Sequence, residues 1–341
     1  MIEQVYITAN GIKQHFRKRK GGAKTILFIH GNGSDSVFWE ELMKLIPDDY
    51  TCLAPDLRGY GFTEAVSANA TKSYGDFVED LLALLSREKV DSYTVVNHSL
   101  GGGISWELLL RDAARIEKMV FVNPASPFGF GGTKGKEGEL TFPDGEGSGA
   151  GVVNPDFAKL VKEGDKGTEN PTSPINVMNA FYWEPPFVPD NLDSLLEGLL
   201  RMRVGENFYP GDHKPSENFP FSKPGKRGQI NCASPVSKQG ILKRLKNLQS
   251  KPPILWVRGG KDKIVSDTSF FDSAVLGKMG MIPDFPGEDV CPAQPMVTQT
   301  RYALEQMGNP YKELVMENCG HSPYIEDLGT FSDALIDFLN E

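Results

Sequence analysis

Apolar residues recur along this chain in two rhythms. Short runs at 25–29, 50–54, 93–97, 118–122, 253–257 and 311–316 are largely apolar, as expected of strands buried on both faces. Between several of them the spacing becomes helical. Tyr74, Phe77, Val78, Leu81, Leu82 and Leu85 share one helix face, and 100–113 and 330–340 also read as helices. Residues 3–8 and 11–18 flank Asn10-Gly11, a strong hairpin dipeptide. Strands alternating with helices predict an α/β fold with a mostly parallel sheet flanked by helices.

The alternation stops near 123 and resumes near 253. The intervening stretch holds helical fragments at 155–163, 191–203 and 237–248 and long irregular segments. An excursion that returns to the same sheet reads as a cap or lid insertion at 124–252 on a core made of 1–123 and 253–341. The composition sharpens this. Glycine (36) and proline (24) together are 60 of 341 residues, above the average share of about 12%. Residues 124–151 alone hold 9 Gly and 3 Pro, so this segment is expected to be the most mobile part of the cover.

Charge and cysteine usage narrow the setting. The formal net charge is −9 and the pI about 5.2, which disfavours a nucleic-acid partner. No run approaches the roughly 20 apolar residues of a membrane helix, so no membrane partner is expected. The first residues lack the basic and apolar regions of a secretory signal. Cys52, Cys232, Cys291 and Cys319 lie far apart and suggest no disulfide framework, so a reducing, cytoplasmic setting is the expectation. The basic cluster Arg17-Lys18-Arg19-Lys20 precedes Gly21-Gly22 and is expected to be a solvated hairpin turn. No histidine has a companion at metal-ligand spacing, and neither G-x-x-x-x-G-K-[ST] nor G-x-G-x-x-G occurs. No metal and no organic cofactor are implied. A monomer or a homodimer fits equally.

The candidate chemistry sits just after predicted strands. Asn97-His98-Ser99-Leu100-Gly101-Gly102 follows one strand and opens a helix. A serine on such a turn has its hydroxyl pushed out at the sheet's end, and the helix N-terminus favours developing negative charge. Arg258-Gly259-Gly260-Lys261-Asp262 and Cys319-Gly320-His321-Ser322-Pro323 follow two others, giving the order Ser, Asp, His. His30-Gly31-Asn32-Gly33 forms a glycine-rich turn after the strand at 25–29. The N–H groups of Asn32 and Leu100 are the candidate oxyanion donors. His30, Gly31, His98 and Trp183 are the candidate substrate-binding residues, although His30 and His98 also suit turn-holding roles. Arg58-Gly59-Tyr60-Gly61 is expected to shape a loop. The aromatic stretch Phe181–Phe187 either packs within the insertion or lines an apolar pocket over Ser99.

These segments, HGNG at 30–33, DLRGYG at 56–61, NHSLGG at 97–102, GGKD at 259–262 and GHSP at 320–323, resemble the α/β-hydrolase superfamily across 1–123 and 253–341. The resemblance implies a serine esterase or lactonase type, with Ser99 as nucleophile, His321 as general base and Asp262 as the acid orienting it. Asp267 is the nearest rival acid. The family's G-x-S-x-G elbow departs here to Asn97, a residue that tolerates unusual backbone angles better than most. A serine at the elbow argues against the dehalogenase and epoxide-hydrolase branches, which place an aspartate there. The expected partner is a small-molecule ester or lactone, bulky and partly hydrophobic. The alternatives are a C–C bond hydrolase of a diketone-type ring-cleavage product and a non-catalytic ligand-binding member of the fold.

Overall fold

The alternation of strand and helix produces one twisted eight-stranded sheet, described in a computed structural model that covers residues 1–341. Its strands are β1 (Ile2–Ala9), β2 (Ile12–Arg19), β3 (Lys24–Ile29), β4 (Tyr50–Pro55), β5 (Tyr93–His98) and β6 (Ile116–Val122). Two small ribbons follow, β7 (Thr133–Lys134) with β8 (Glu139–Leu140) and β9 (His213–Pro215) with β10 (Ser222–Pro224). The sheet is completed by β11 (Ile254–Gly259) and β12 (Tyr311–Met316). The strand order is β1-β2-β4-β3-β5-β6-β11-β12. β2 runs antiparallel to both neighbours, and every other pairing is parallel. Asn10 and Gly11, at φ 51° and 74°, close the first hairpin as their dipeptide predicts.

Period-two alternation divides the central strands between two cores. Leu27, Ile29, Val95, Met119 and Trp256 face a cluster of 46 buried residues. Ile26, Phe28, Val96, Val120 and Val257 face one of 21, with Trp39, Tyr324 and Phe338. The connection between β6 and β11 does not form a separate core. Its Met178, Trp183, Leu199, Tyr209 and Leu245 join the larger cluster, so the insertion is docked on the sheet by apolar burial.

Most of the predicted elements appear close to their expected places. The helix carrying Phe77, Val78 and Leu81 spans Gly75–Arg87, and those at 100–113 and 330–340 span Leu100–Asp112 and Leu328–Asn340. The fragment at 237–248 is shorter, a 3₁₀ turn at Pro235–Lys238 followed by the helix Ile241–Lys246. Helices at Glu40–Leu45, Pro174–Phe181, Ser273–Lys278 and Met296–Met307 are not among the expected elements. Their stability comes from tertiary packing of short segments.

The segment 124–151 is packed at its two ends and exposed between them, at 135–137 and 139. Residues 121–129 and 145–150 are buried throughout, and a chain of buried amides fastens the region. Ser126 Oγ donates to Gln299 Oε1 at 2.8 Å, Gly131 N–H to Gln294 Oε1 at 2.6 Å, and Gln294 Nε2 to Gly129 O at 3.1 Å. The glycines there serve tight turns, with Gly129, Gly131 and Gly132 all at positive φ. One expectation is corrected: the basic cluster is not a solvated turn. Arg17 and Arg19 lie within β2 and are buried. Arg17 donates to Glu40 and Ser36, while Arg19 donates to the carbonyls of Ile46, Pro47 and Tyr50.

Arg58 shapes its loop through a buried fork. Its Nε and Nη2 donate to the two carboxylate oxygens of Asp80 at 2.7 and 2.8 Å, tying the segment after β4 to the helix Gly75–Arg87. Removing one member of such a pair strands the other charge, at a cost of about 3–5 kcal/mol. Arg58→Met is therefore expected to lower the urea midpoint sharply, and adding Asp80→Asn to recover part of the loss. An unchanged midpoint in Arg58→Met would contradict this assignment.

Candidate active site

The parallel strands deliver their chemistry at their carboxyl ends. β5 ends at His98, and Ser99 then turns at φ 55°, ψ −116° into the helix Leu100–Asp112. A non-glycine residue there stores roughly 1–3 kcal/mol of backbone strain. The surroundings hold the turn in place. Ser99 N–H donates to Val122 O at 3.1 Å, and Ser99 O accepts from Gly102 and Ala125 N–H, each at 2.9 Å. A Cβ at Gly101 would lie 2.4 Å from Ile29 O, and one at Gly102 would lie 2.4 Å from Pro124 Cβ and 3.0 Å from Asn97 Oδ1. The glycines thus give both the helix and the Asn97 side chain room at the elbow. The Ser99 hydroxyl bonds to no protein group and keeps access to solvent, and Ser99 is half-buried.

The turn after β3 lies directly against this serine. A Cβ on Gly31 would sit 3.0 Å from Ser99 Cβ and 3.1 Å from His98 Nδ1. The Asn32 N–H has no acceptor in the protein, and Leu100 opens its helix, so its N–H has no intrahelical partner. Tyr60 donates its hydroxyl to Asn32 Oδ1 at 2.9 Å.

His321 and Asp262 meet from the loops after β12 and β11. His321 Nδ1 lies 2.8 Å from Asp262 Oδ2, and both side chains are buried. Asp262 Oδ1 accepts from the Ile264 and Val265 N–H groups at 2.7 and 3.1 Å. With Nδ1 donating to the carboxylate, Nε2 is the free acceptor of the ring. Asp267, the rival acid, is engaged elsewhere. Its carboxylate accepts from Val297 N–H, Thr298 N–H and Thr298 Oγ1 at 2.8, 3.0 and 2.6 Å, at the start of the helix Met296–Met307.

Asn123 is a connector that no motif of the sequence singles out. At φ 40° just beyond β6, it accepts from Gly259 N–H at 3.1 Å through Oδ1. Its Nδ2 donates to His321 O at 2.8 Å and Gly320 O at 3.2 Å. One amide thus joins three neighbouring strand ends. Glu326 supports the same loop, accepting from Gly320 N–H at 2.9 Å.

The residues expected to bind substrate are placed differently from one another. Gly31 lines the turn beside Ser99. His98 is buried, with Nε2 donating to His321 O at 2.8 Å and its ring 4.5 Å from that of His321. Burial pushes its pKa well below the usual imidazole value, so the ring is neutral. His30 is also held down by burial. Its Nε2 accepts from Leu57 N–H at 3.0 Å and its Nδ1 donates to Gly31 O at 2.8 Å. Both rings therefore hold turns and have no spare polar atom for a ligand. Trp183 is buried to 1% exposure, with Nε1 donating to Asn179 Oδ1, so it is packing in this structure and does not line an open pocket.

The comparisons with known proteins agree with this architecture. Residues 24–144 match the family model described as alpha/beta hydrolase fold. An uncharacterised protein of Mycobacterium tuberculosis is 32% identical over 117 residues, 34% of this chain and 33% of that one. Epoxide hydrolase 3 of Siraitia grosvenorii is 33% identical over 135 residues, 37% of this chain and 42% of that one. Such matches span only about a third to two fifths of those relatives. A serine hydrolase structure from the polyaromatic-hydrocarbon-degrading bacterium Cycloclasticus zankles superimposes with a TM-score of 0.64 at 17% identity, covering 100% of this chain and 98% of that one. Sheet order, strand-end loops and the sequence match at 24–144 agree, and the chain has the α/β-hydrolase fold.

Proposed function

We propose that this protein is a serine hydrolase that cleaves a carboxylic ester or lactone through an acyl-enzyme at Ser99. One observation carries the reading. An Asp262–His321 pair with a free Nε2 shares one sheet end with a strained, accessible serine and two unengaged backbone donors. In this reading His321 takes the Ser99 proton as Oγ attacks the carbonyl carbon. The Asn32 and Leu100 N–H groups hold the tetrahedral oxyanion. His321 then protonates the leaving oxygen, the acyl-enzyme remains, and water activated by His321 releases the acid. Asp262 fixes the ring tautomer and stabilises the imidazolium. Serine at the elbow, in place of aspartate, sets the chain apart from the epoxide-opening chemistry in the name of one of its relatives.

The stretch 124–252 acts as the cap in this reading. Its size and apolar docking favour a fairly bulky, partly hydrophobic substrate over a small polar ester. A reducing, cytoplasmic setting suits its four free thiols, all of which are buried.

Two tests follow. A fluorophosphonate probe is expected to label wild-type protein at Ser99 and not Ser99→Ala. The single variants Ser99→Ala and His321→Ala should each lose roughly 10³-fold or more in ester cleavage, and the double variant little more, because the residues act as a unit. Retention of most activity in Ser99→Ala would overturn the mechanism, and no labelling of the wild type would favour a ligand-binding role. Across aryl esters of increasing acyl length, kcat/KM is expected to rise from acetate to medium chains. Best activity on acetate with none on larger acyl groups would overturn the substrate class. Indifference to all simple esters with cleavage of a vinylogous diketone would identify a C–C bond hydrolase.

A further inference from the structure

Three consecutive residues of the insertion, Tyr182, Trp183 and Glu184, touch three loops of the candidate site, those of Asn32, His321 and Asp262. They directly follow the helix Pro174–Phe181 and belong to none of the strand ends that carry Ser99, Asp262 or His321. The Tyr182 hydroxyl lies 3.0 Å from Gly33 O and 3.3 Å from Asn32 O. Burial raises its pKa, so the phenol stays protonated and donates. Gly33 stands at φ 60°, and a Cβ there would lie 2.4 Å from Tyr182 Oη. The approach of this tyrosine is therefore possible only over a glycine. From the other side, Tyr60 holds the Asn32 side chain at 2.9 Å.

The next residues reach the other two loops. Glu184 N–H donates to Glu326 Oε2 at 2.8 Å, and the same carboxylate accepts from Gly320 N–H immediately before His321. A Cβ on Gly320 would lie 2.9 Å from both Glu184 N and the Trp183 carbonyl carbon, so this backbone rests directly on the histidine loop. The Glu184 carboxylate pairs with Lys263 at 2.9 Å, next to Asp262.

An oxyanion donor works only when its direction is fixed before the charge forms. Rotation about the Asn32 backbone would swing its N–H away from Ser99. Tyr182 holds the two peptide carbonyls that follow the Asn32 N–H, and Tyr60 holds the Asn32 side chain, so together they limit rotation within this turn. We propose that Tyr182 is a positioning residue that orients the Asn32 N–H toward the carbonyl oxygen held at Ser99. The inference rests on the serine-hydrolase reading for its catalytic consequence, and on geometry alone for the brace.

Tyr182→Phe removes one oxygen and keeps the ring, so the fold is expected to survive with a thermal midpoint within about 2 °C of wild type. With an aryl ester as substrate, kcat should fall about tenfold while KM stays within about twofold, because the lost interaction matters in the transition state. Inhibition by an arylboronic acid, whose serine adduct carries an oxygen in the oxyanion position, should weaken by about the same tenfold factor. Tyr60→Phe should act in the same direction. The amide order parameters of Asn32 and Gly33, read by NMR relaxation, should fall in Tyr182→Phe, a readout that needs no turnover. Unchanged order parameters there would overturn the brace. Lowered order parameters with unchanged kcat and boronate affinity would overturn its catalytic role, as would a rise confined to KM. If wild-type protein takes up no fluorophosphonate, the serine-hydrolase reading fails by itself, and the relaxation comparison alone decides the brace.

Discussion

The site depends on how closely the helix Leu100–Asp112 can approach the end of β3. Gly101 allows that approach, because any Cβ there would collide with Ile29 O at 2.4 Å. The contact sets the distance between the Ser99 turn and the His30–Gly33 turn. Ser99 adopts a positive φ at this turn, which the bonds from Ser99 O to Gly102 and Ala125 hold. Strain of a few kcal/mol persists only where packing over-determines it. Here the packing comes from a sheet buried on both faces and a helix lying flush against it.

Around that fixed point the remaining loops are registered by buried polar groups. Asn123 links three strand ends, His98 and Glu326 hold the His321 loop, and Asp262 is held by two backbone N–H groups. Each bond is modest in isolation, about 1 kcal/mol. Their effect here is directional. A buried amide or carboxylate that would lose its partners on moving keeps its loop in one place. The neutral state of His98 belongs to the same logic, since a charged ring packed 4.5 Å from His321 would oppose protonation of that residue.

The insertion is part of this registration. It shares the larger hydrophobic core with the sheet and meets the Asn32, His321 and Asp262 loops through one short stretch. Its glycines and prolines mark turns in a packed layer, because amide pairs such as Gln294 with Gln299 satisfy the backbone that a loop of this composition leaves open.

The order of the eight sheet strands, the helices at 75–87, 100–112 and 328–340, the hairpin at Asn10-Gly11 and the placement of Ser99, Asp262 and His321 beyond strand ends were determined by the sequence itself. Periodicity and turn chemistry are local, and a residue just past a buried parallel strand has few places to go. The pairing of His321 with Asp262 and not Asp267 was decided in three dimensions, where Asp267 instead meets the first turn of a helix. So were the burial of Arg17 and Arg19, the turn-holding role of His30 and His98, and the packing of 124–129 and 145–150. The contacts of Asn123, Tyr182 and Glu326 join residues up to 198 positions apart. No local pattern encodes such pairings, because burial and partner choice arise only when distant segments share one core.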